Sequence, residues 1–284
     1  MKKIRISFIY TLLFVLTLGF VQAQDVISAK ELQSYLKQDN TILVSAQKEV
    51  EYNKIHITGA INIDHNLLYD DMTMLLPSTQ VAQIFGVNGI SQNMKIVLYD
   101  EGSSKYSGRM YWILDYMGAN DVKILDGGLK AWKAARKPVT RNASTAKAVT
   151  FTPRINKSYV ATMATVQTAI DNPNYVIIDA RTPEEFNGKN ETTLRLGHIP
   201  SAVNINYETM LNAKGELKTK EELTAIFTKA GVTKEKTAIV YCKTSVRAGI
   251  EYLALKSVLG YTKVMVYDGA FTEWQAQASN KVSM

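Results

Sequence analysis

The chain repeats itself. His56-Ile57-Thr58-Gly59-Ala60-Ile61-Asn62-Ile63 returns as His198-Ile199-Pro200-Ser201-Ala202-Val203-Asn204-Ile205. Each copy closes with Asp-Gly and a tryptophan six residues after the aspartate, at Asp126-Gly127…Trp132 and Asp268-Gly269…Trp274. These landmarks are all separated by 142 residues. That period is far longer than the roughly 20–50 residues of a solenoid repeat. It is the length of a whole compact domain, so 284 residues predict two domains of one fold. Ser45-Ala46 aligns with Asp179-Ala180 at an offset of only 134, so the second copy carries eight extra residues before His198. They fall in the polar stretch Asn187–Leu194, which reads as a surface loop.

The copies differ where a strand-like run ends. It stops at Tyr99-Asp100 in the first copy and at Tyr241-Cys242 in the second, and Cys242 is the chain's one cysteine. A lone cysteine forms no internal disulfide, and two cores of this size need no staple. The thiol therefore calls for a chemical explanation.

Lys2, Lys3 and Arg5 precede an apolar run from Phe8 to Val21, followed by Ala23. This order of charged, apolar and small residues predicts a secretory signal cleaved after Ala23, with a retained membrane anchor as the alternative. The expected location is outside the cytoplasm, periplasmic or secreted, with no membrane association once the signal is removed. The leader supplies three of the +7 formal charges, which leaves +4. The basic residues are scattered rather than striped, so nucleic acid is not an expected partner. Three histidines and one cysteine without ligand spacing argue against zinc. His56 and His198 occupy equivalent positions and read as structural groups.

Short β-branched runs alternate with amphipathic stretches in both halves. Thr41–Val44, Lys95–Tyr99 and Val122–Leu125 read as strands in the first copy, with Tyr175–Ile178, Ala238–Tyr241 and Lys263–Tyr267 as their partners. Ala29–Lys37, Ser107–Met117, Lys220–Ala230 and Val246–Leu259 read as helices. Strands apolar on both faces and separated by helices predict an α/β fold, a mainly parallel sheet with helices on both faces in each domain. The expected division is a leader over 1–23, a first domain over 24–136, a linker over 137–155 and a second domain over 156–284.

Cys242 then sits where an apolar strand gives way to Lys243-Thr244-Ser245 and a helix from about Val246. In open α/β sheets ligands bind beyond the carboxyl ends of strands. Unpaired amides, the positive end of a helix dipole, Lys243 and Arg247 all favour a thiolate there. The same amides suit a bound anion.

These residues resemble a known family over essentially the whole chain after the leader. Asp179-Ala180-Arg181 with Glu185-Phe186, Gly197–Ile205, and Asp126-Gly127-Gly128…Trp132 look like the motifs of the tandem-domain rhodaneses, sulfurtransferases of the thiosulfate and 3-mercaptopyruvate type. The resemblance implies two tandem rhodanese-like domains, the first silent and the second catalytic. It implies that Cys242 takes sulfur from a small anionic donor as a persulfide and passes it to cyanide, a thiol or a protein acceptor, with no cofactor and no metal. It maps the sulfur-cradling loop to Cys242, Lys243, Thr244, Ser245, Val246 and Arg247. Arg181 would hold the donor's anionic end, with an ion pair to Glu185 as the structural alternative. The first copy has Gln47 opposite Arg181 and Asp100 opposite Cys242, as expected of a silent scaffold.

The loop also departs from the family. Thiosulfate enzymes often carry Cys-Arg-Lys-Gly-Val-Thr and mercaptopyruvate enzymes Cys-Gly-Ser-Gly-Val-Thr. Here Ser245 replaces the glycine, which conflicts with any positive φ at that point, and Arg247 replaces the threonine. Extra positive charge leans toward the dianion thiosulfate. A cysteine phosphatase would need its arginine one residue later, where Ala248 stands. A non-enzymatic sulfur carrier, sensor or binding module is the remaining alternative.

Overall fold

The computed structural model describes residues 25–189 and 195–284. The leader and most of the Asn187–Leu194 insertion lie outside them.

Each half builds a five-stranded parallel sheet. In the first the spatial order is Val26–Ile27, Asp121–Leu125, Lys95–Tyr99, Thr41–Ser45, Ile61–Asn62. In the second it is Val160–Ala161, Val264–Tyr267, Thr237–Tyr241, Tyr175–Asp179, Ala202–Asn204. The central strands are buried along nearly their whole length, as strands covered on both faces must be. Helices Ala29–Tyr35, Ser78–Val87, Lys105–Tyr116 and Gly128–Ala134 cover the first sheet, and their counterparts cover the second.

The repeated motifs have repeated jobs. Tyr99 and Tyr241, each ending a central strand, accept from the amides of Ile57 and Ile199 at 3.1 and 3.2 Å. The indole N–H of Trp132 donates to Pro138 O at 2.8 Å, and that of Trp274 to Lys281 O at 2.9 Å. Each tryptophan thus pins the chain as it leaves its domain. His56 and His198 stack on Tyr52 and Phe186 at 3.7 and 3.6 Å and bond to main-chain carbonyls, a structural role for both. The segment read as a linker is laced onto the first domain. Val139–Thr140 pairs with His56–Ile57, Phe151 is buried, and the Arg154 amide donates to Met117 O.

The halves meet across the helices that follow the two central strands. The Lys105–Tyr116 helix crosses the Ala248–Leu253 helix with Gly108 against Gly249, where a methyl group on either would collide with the other's backbone. The 142-residue offset slips here. The left-handed residue of the first loop is Ser104 and that of the second is Ser245, 141 apart. Gly108 and Gly249 keep that offset. By Gly118 and Gly260, both at positive φ, it is 142 again. The residue is regained in the π-helical turn Ala254–Val258, which has no counterpart in the regular first-domain helix. The sequence reading of one helix over Val246–Leu259 missed this bulge, because apolar periodicity does not register one extra residue in a turn.

Candidate active site

Cys242 leaves the Thr237–Tyr241 strand fully buried. The loop is fixed at its near end, where the amides of Phe271 and Thr272 donate to Cys242 O and Lys243 O at 3.0 and 3.1 Å. Leu129 and Lys130 make the same bonds to Asp100 and Glu101 in the first domain. Ser245 does adopt a positive φ, +58°. For a residue other than glycine this costs roughly 1–2 kcal/mol. Its hydroxyl offsets that cost, lying 2.6 Å from Tyr267 O and 2.9 Å from Asp268 O. Serine therefore serves where glycine was expected, by anchoring the turn with its own side chain.

Arg247 ends the loop and makes a forked pair with Glu185, Nη1 to Oε2 at 2.5 Å and Nη2 to Oε1 at 2.9 Å. It also interacts with Cys242. Burial alone would lower the arginine's pKa, but Glu185 and Cys242 outweigh it and hold the group more firmly charged. Burial pushes Glu185 up, and the hydrogen bond and charge of Arg247 pull it below the usual carboxylate range. This is the strong bidentate geometry of a charge-assisted pair.

Arg181 is held first by the carboxylate of its own motif, Asp179. It is wholly buried, with Nε at 2.9 Å and Nη2 at 2.6 Å from Asp179 and Nη2 also donating to Gly197 O at 2.8 Å. Its guanidinium lies 4.0 Å over the Phe271 ring. Asp179 and Gly197 O thus occupy Nε and Nη2, and any hold on a donor's anionic end falls to Nη1, which lacks a hydrogen-bond partner among the described residues. The expected alternative changes too, since Glu185 is taken by Arg247 and Arg181 pairs instead with an aspartate two residues away. Lys243, Thr244, Ser245 and Val246 do lie together in the loop with Cys242 and Arg247.

The structure adds residues that sequence reasoning passed over. Arg109, from the first domain, is buried and donates through Nη1 to Thr244 O at 2.8 Å and through Nη2 to Asp268 Oδ1 at 3.0 Å. Asp268 in turn accepts from the Leu75 amide of the first domain at 2.7 Å. Lys105 and Tyr207 interact at the same junction, and Arg247 lies 5.9 Å from the Tyr207 ring. The available signal for Arg109 was its position, a cation at the head of the apolar run Met110–Leu114. His65, read as isolated, stacks on Tyr106 at 3.9 Å and hydrogen-bonds Tyr69; burial lowers it to about 4, so it is neutral.

Glu251 lies one turn into the helix behind the loop, fully buried, with both carboxyl oxygens lacking a partner among the described residues. Burial first, then the charges of Asp179 and Cys242, raise it well above the usual range. Among the described residues no cluster of three His, Cys, Asp or Glu side chains has the geometry to hold a metal ion, and no helix is long and apolar enough to cross a membrane.

Comparison with known proteins agrees with this architecture. The rhodanese-like domain family matches residues 28–135 and 162–277. A provisionally named thiosulfate sulfurtransferase of Synechococcus elongatus is 32% identical over 79% of this chain and 74% of its own. The sulfur carrier protein TtuD of Thermus thermophilus is 27% identical over 90% and 95%. Among solved structures, the 3-mercaptopyruvate sulfurtransferase SseA of Escherichia coli is 31% identical, with a TM-score of 0.80 over 87% of this chain and 98% of that one. An anaerobic ergothioneine biosynthesis enzyme of Chlorobium limicola, 20% identical with a TM-score of 0.85, shares the fold over 93% of this chain and 71% of its own. With two matched domains and a relative above 30% identity, this chain belongs to the rhodanese-type sulfurtransferase family.

Proposed function

We propose that this protein transfers sulfane sulfur from thiosulfate, with 3-mercaptopyruvate as second donor, to cyanide or a thiol through a persulfide on Cys242. The observation that carries the reading is the chain's one cysteine at the root of a strand-to-helix loop whose last residue, Arg247, interacts with it. The Cys242 thiolate attacks the outer sulfur of thiosulfate. A new S–S bond forms, the bond to the sulfonate sulfur breaks, and sulfite leaves with the electron pair. The acceptor then attacks the outer persulfide sulfur and returns the thiolate, which gives ping-pong kinetics. Arg247, Lys243 and the loop amides supply the positive surroundings for the anions, with Arg109 holding the loop through Thr244 O. Glu185 balances the charge of Arg247, so that arginine adds no net charge to the lean toward a dianionic donor.

The residues before Asp25 support export, periplasmic or secreted, as the setting for this chemistry. A second reading, a sulfur carrier that holds the persulfide without rapid turnover, is favoured by the relative bearing that name. One experiment separates them. Sulfur transfer to cyanide by the chain without residues 1–23 is measured with thiosulfate and mercaptopyruvate side by side, with Cys242→Ser as control. Cysteine-dependent turnover supports the enzyme, and the ratio of kcat/KM values names the donor. Persulfide formation without turnover supports the carrier.

A further inference from the structure

In the domain that lacks the cysteine, Asp100 stands at the root of the equivalent loop. Its carboxylate is fully buried and receives five hydrogen bonds. Oδ1 accepts from the amides of Gly102 and Ser104 at 2.9 and 3.0 Å. Oδ2 accepts from the amides of Tyr106 and Ser107 at 3.1 and 3.2 Å and from the Ser107 hydroxyl at 3.2 Å. The loop is thus an anion cradle filled by the chain's own side chain. A carboxylate accepting this many bonds from a helix start fixes where that helix begins and how it is turned.

That helix is the one from which Arg109 crosses to the catalytic loop. Ser107, clamped by Asp100, is followed by Gly108, which packs against Gly249, and then by Arg109, which holds Thr244 O and Asp268. One residue therefore separates the clamp from the side chain that grips the loop containing Cys242. We propose that Asp100 is a positioning residue for the sulfur-transfer loop: its carboxylate is a built-in anion that sets the Lys105–Tyr116 helix so that Arg109 reaches the partner domain. On this proposal the silent domain supports the other site through its filled cradle. The inference rests on the activity proposed above for its kinetic arm, and on Cys242 alkylation for an arm that needs no turnover.

The test compares Asp100→Ala with the unaltered protein, with and without added formate, which replaces the lost carboxylate. Three quantities are read: kcat/KM for thiosulfate, the rate at which iodoacetamide alkylates Cys242, and Tm. The expected result is a tenfold or greater loss in kcat/KM, a changed alkylation rate, and recovery of all three in formate, which leaves the unaltered protein as it was. Combining Asp100→Ala with Arg109→Lys should cost little more than the worse single change, because both act through one contact. A kcat/KM within twofold of the original, or losses that multiply in the double variant, would overturn the proposal. If Asp100→Ala does not fold without formate, Asp100→Asn keeps the shape and one acceptor oxygen. It should then show a partial loss of at least threefold, and an unchanged alkylation rate in that variant would equally overturn the idea. Should no donor give turnover with the unaltered protein, the alkylation arm still decides the role of Asp100, while the sulfur-transfer reading fails separately.

Discussion

Arg247 and Arg181 show how little an arginine's identity says about its task. Both lie within motifs of the half that holds Cys242, yet one is forked onto Glu185 and the other is paired with Asp179. Arg247→Ala should lower kcat/KM by about a hundredfold or more, the scale of losing one preorganised stabiliser of an anion. Arg247→Lys, which keeps the charge but not the fork, should fall between. Arg247→Ala also leaves Glu185 buried without its partner, at a stability cost of about 1–3 kcal/mol. The sign with pH follows from the lowered carboxyl of Glu185. The pair's contribution is complete above the ordinary value of 4.5 and is lost as pH falls through the lower folded value. Melting curves of the two proteins should therefore differ down to about pH 5 and converge on further acidification. Arg181→Ala should behave in the opposite way. Removing one member of a buried pair costs roughly 3–5 kcal/mol, so Tm should collapse while the folded fraction keeps a nearly unchanged KM for thiosulfate.

At the scale of elements, most of the architecture was legible because the central strands are apolar on both faces and each is closed by a repeated motif. The register slip was not. A residue missing from the Cys242 loop and one added in the Ala254–Val258 turn cancel, so landmarks outside the pair keep their 142-residue spacing. π-Bulges of this kind are frequent at functional sites. The slip changes which residues are counterparts. Glu251 corresponds to Met110, which is likewise fully buried, and not to Arg109. Glu251→Met thus copies the sister domain into a site where a carboxyl finds no partner. Glu251 is raised by burial, so the folded state loses stability to it as pH climbs above 4.5 and the unfolded chain ionises first. The variant should melt higher than the original at pH 7–8 and approach it near pH 4. A paired change tests the slip itself. Inserting a glycine after Thr244, or deleting Ala254, should each lower Tm by several degrees. Both together should recover much of that loss yet leave sulfur transfer abolished, because the loop would then have the length of the Asp100 loop.

The whole molecule is tied by contacts that no local pattern announces, since each joins residues far apart in sequence. They come in pairs related by the duplication: Asp268 Oδ2 accepts from the Leu75 amide at 2.7 Å, and Asp126 Oδ1 accepts from the Leu217 amide at 2.8 Å. The symmetry is incomplete, because Asp268 also pairs with Arg109, whereas Asp126 makes no ion pair among the described residues. The difference shows in its acidity. Burial pushes Asp126 up to about 6, helped by Glu216 and opposed by the Leu217 N–H. Asp126 therefore favours folding while it is protonated. Between its ordinary value of 3.8 and about 6 the folded state binds more protons than the unfolded chain, so stability falls as pH rises through that window. Two pKa units correspond to a penalty of about 3 kcal/mol, fully present above pH 6. Asp126→Asn keeps an oxygen for the Leu217 amide and removes the ionisation. Its Tm should match the original near pH 4 and exceed it by several degrees at pH 7.5. Equal melting at both pH values would mean that Asp126 is solvated well enough to ionise without cost, and that the two interdomain aspartates are equivalent after all.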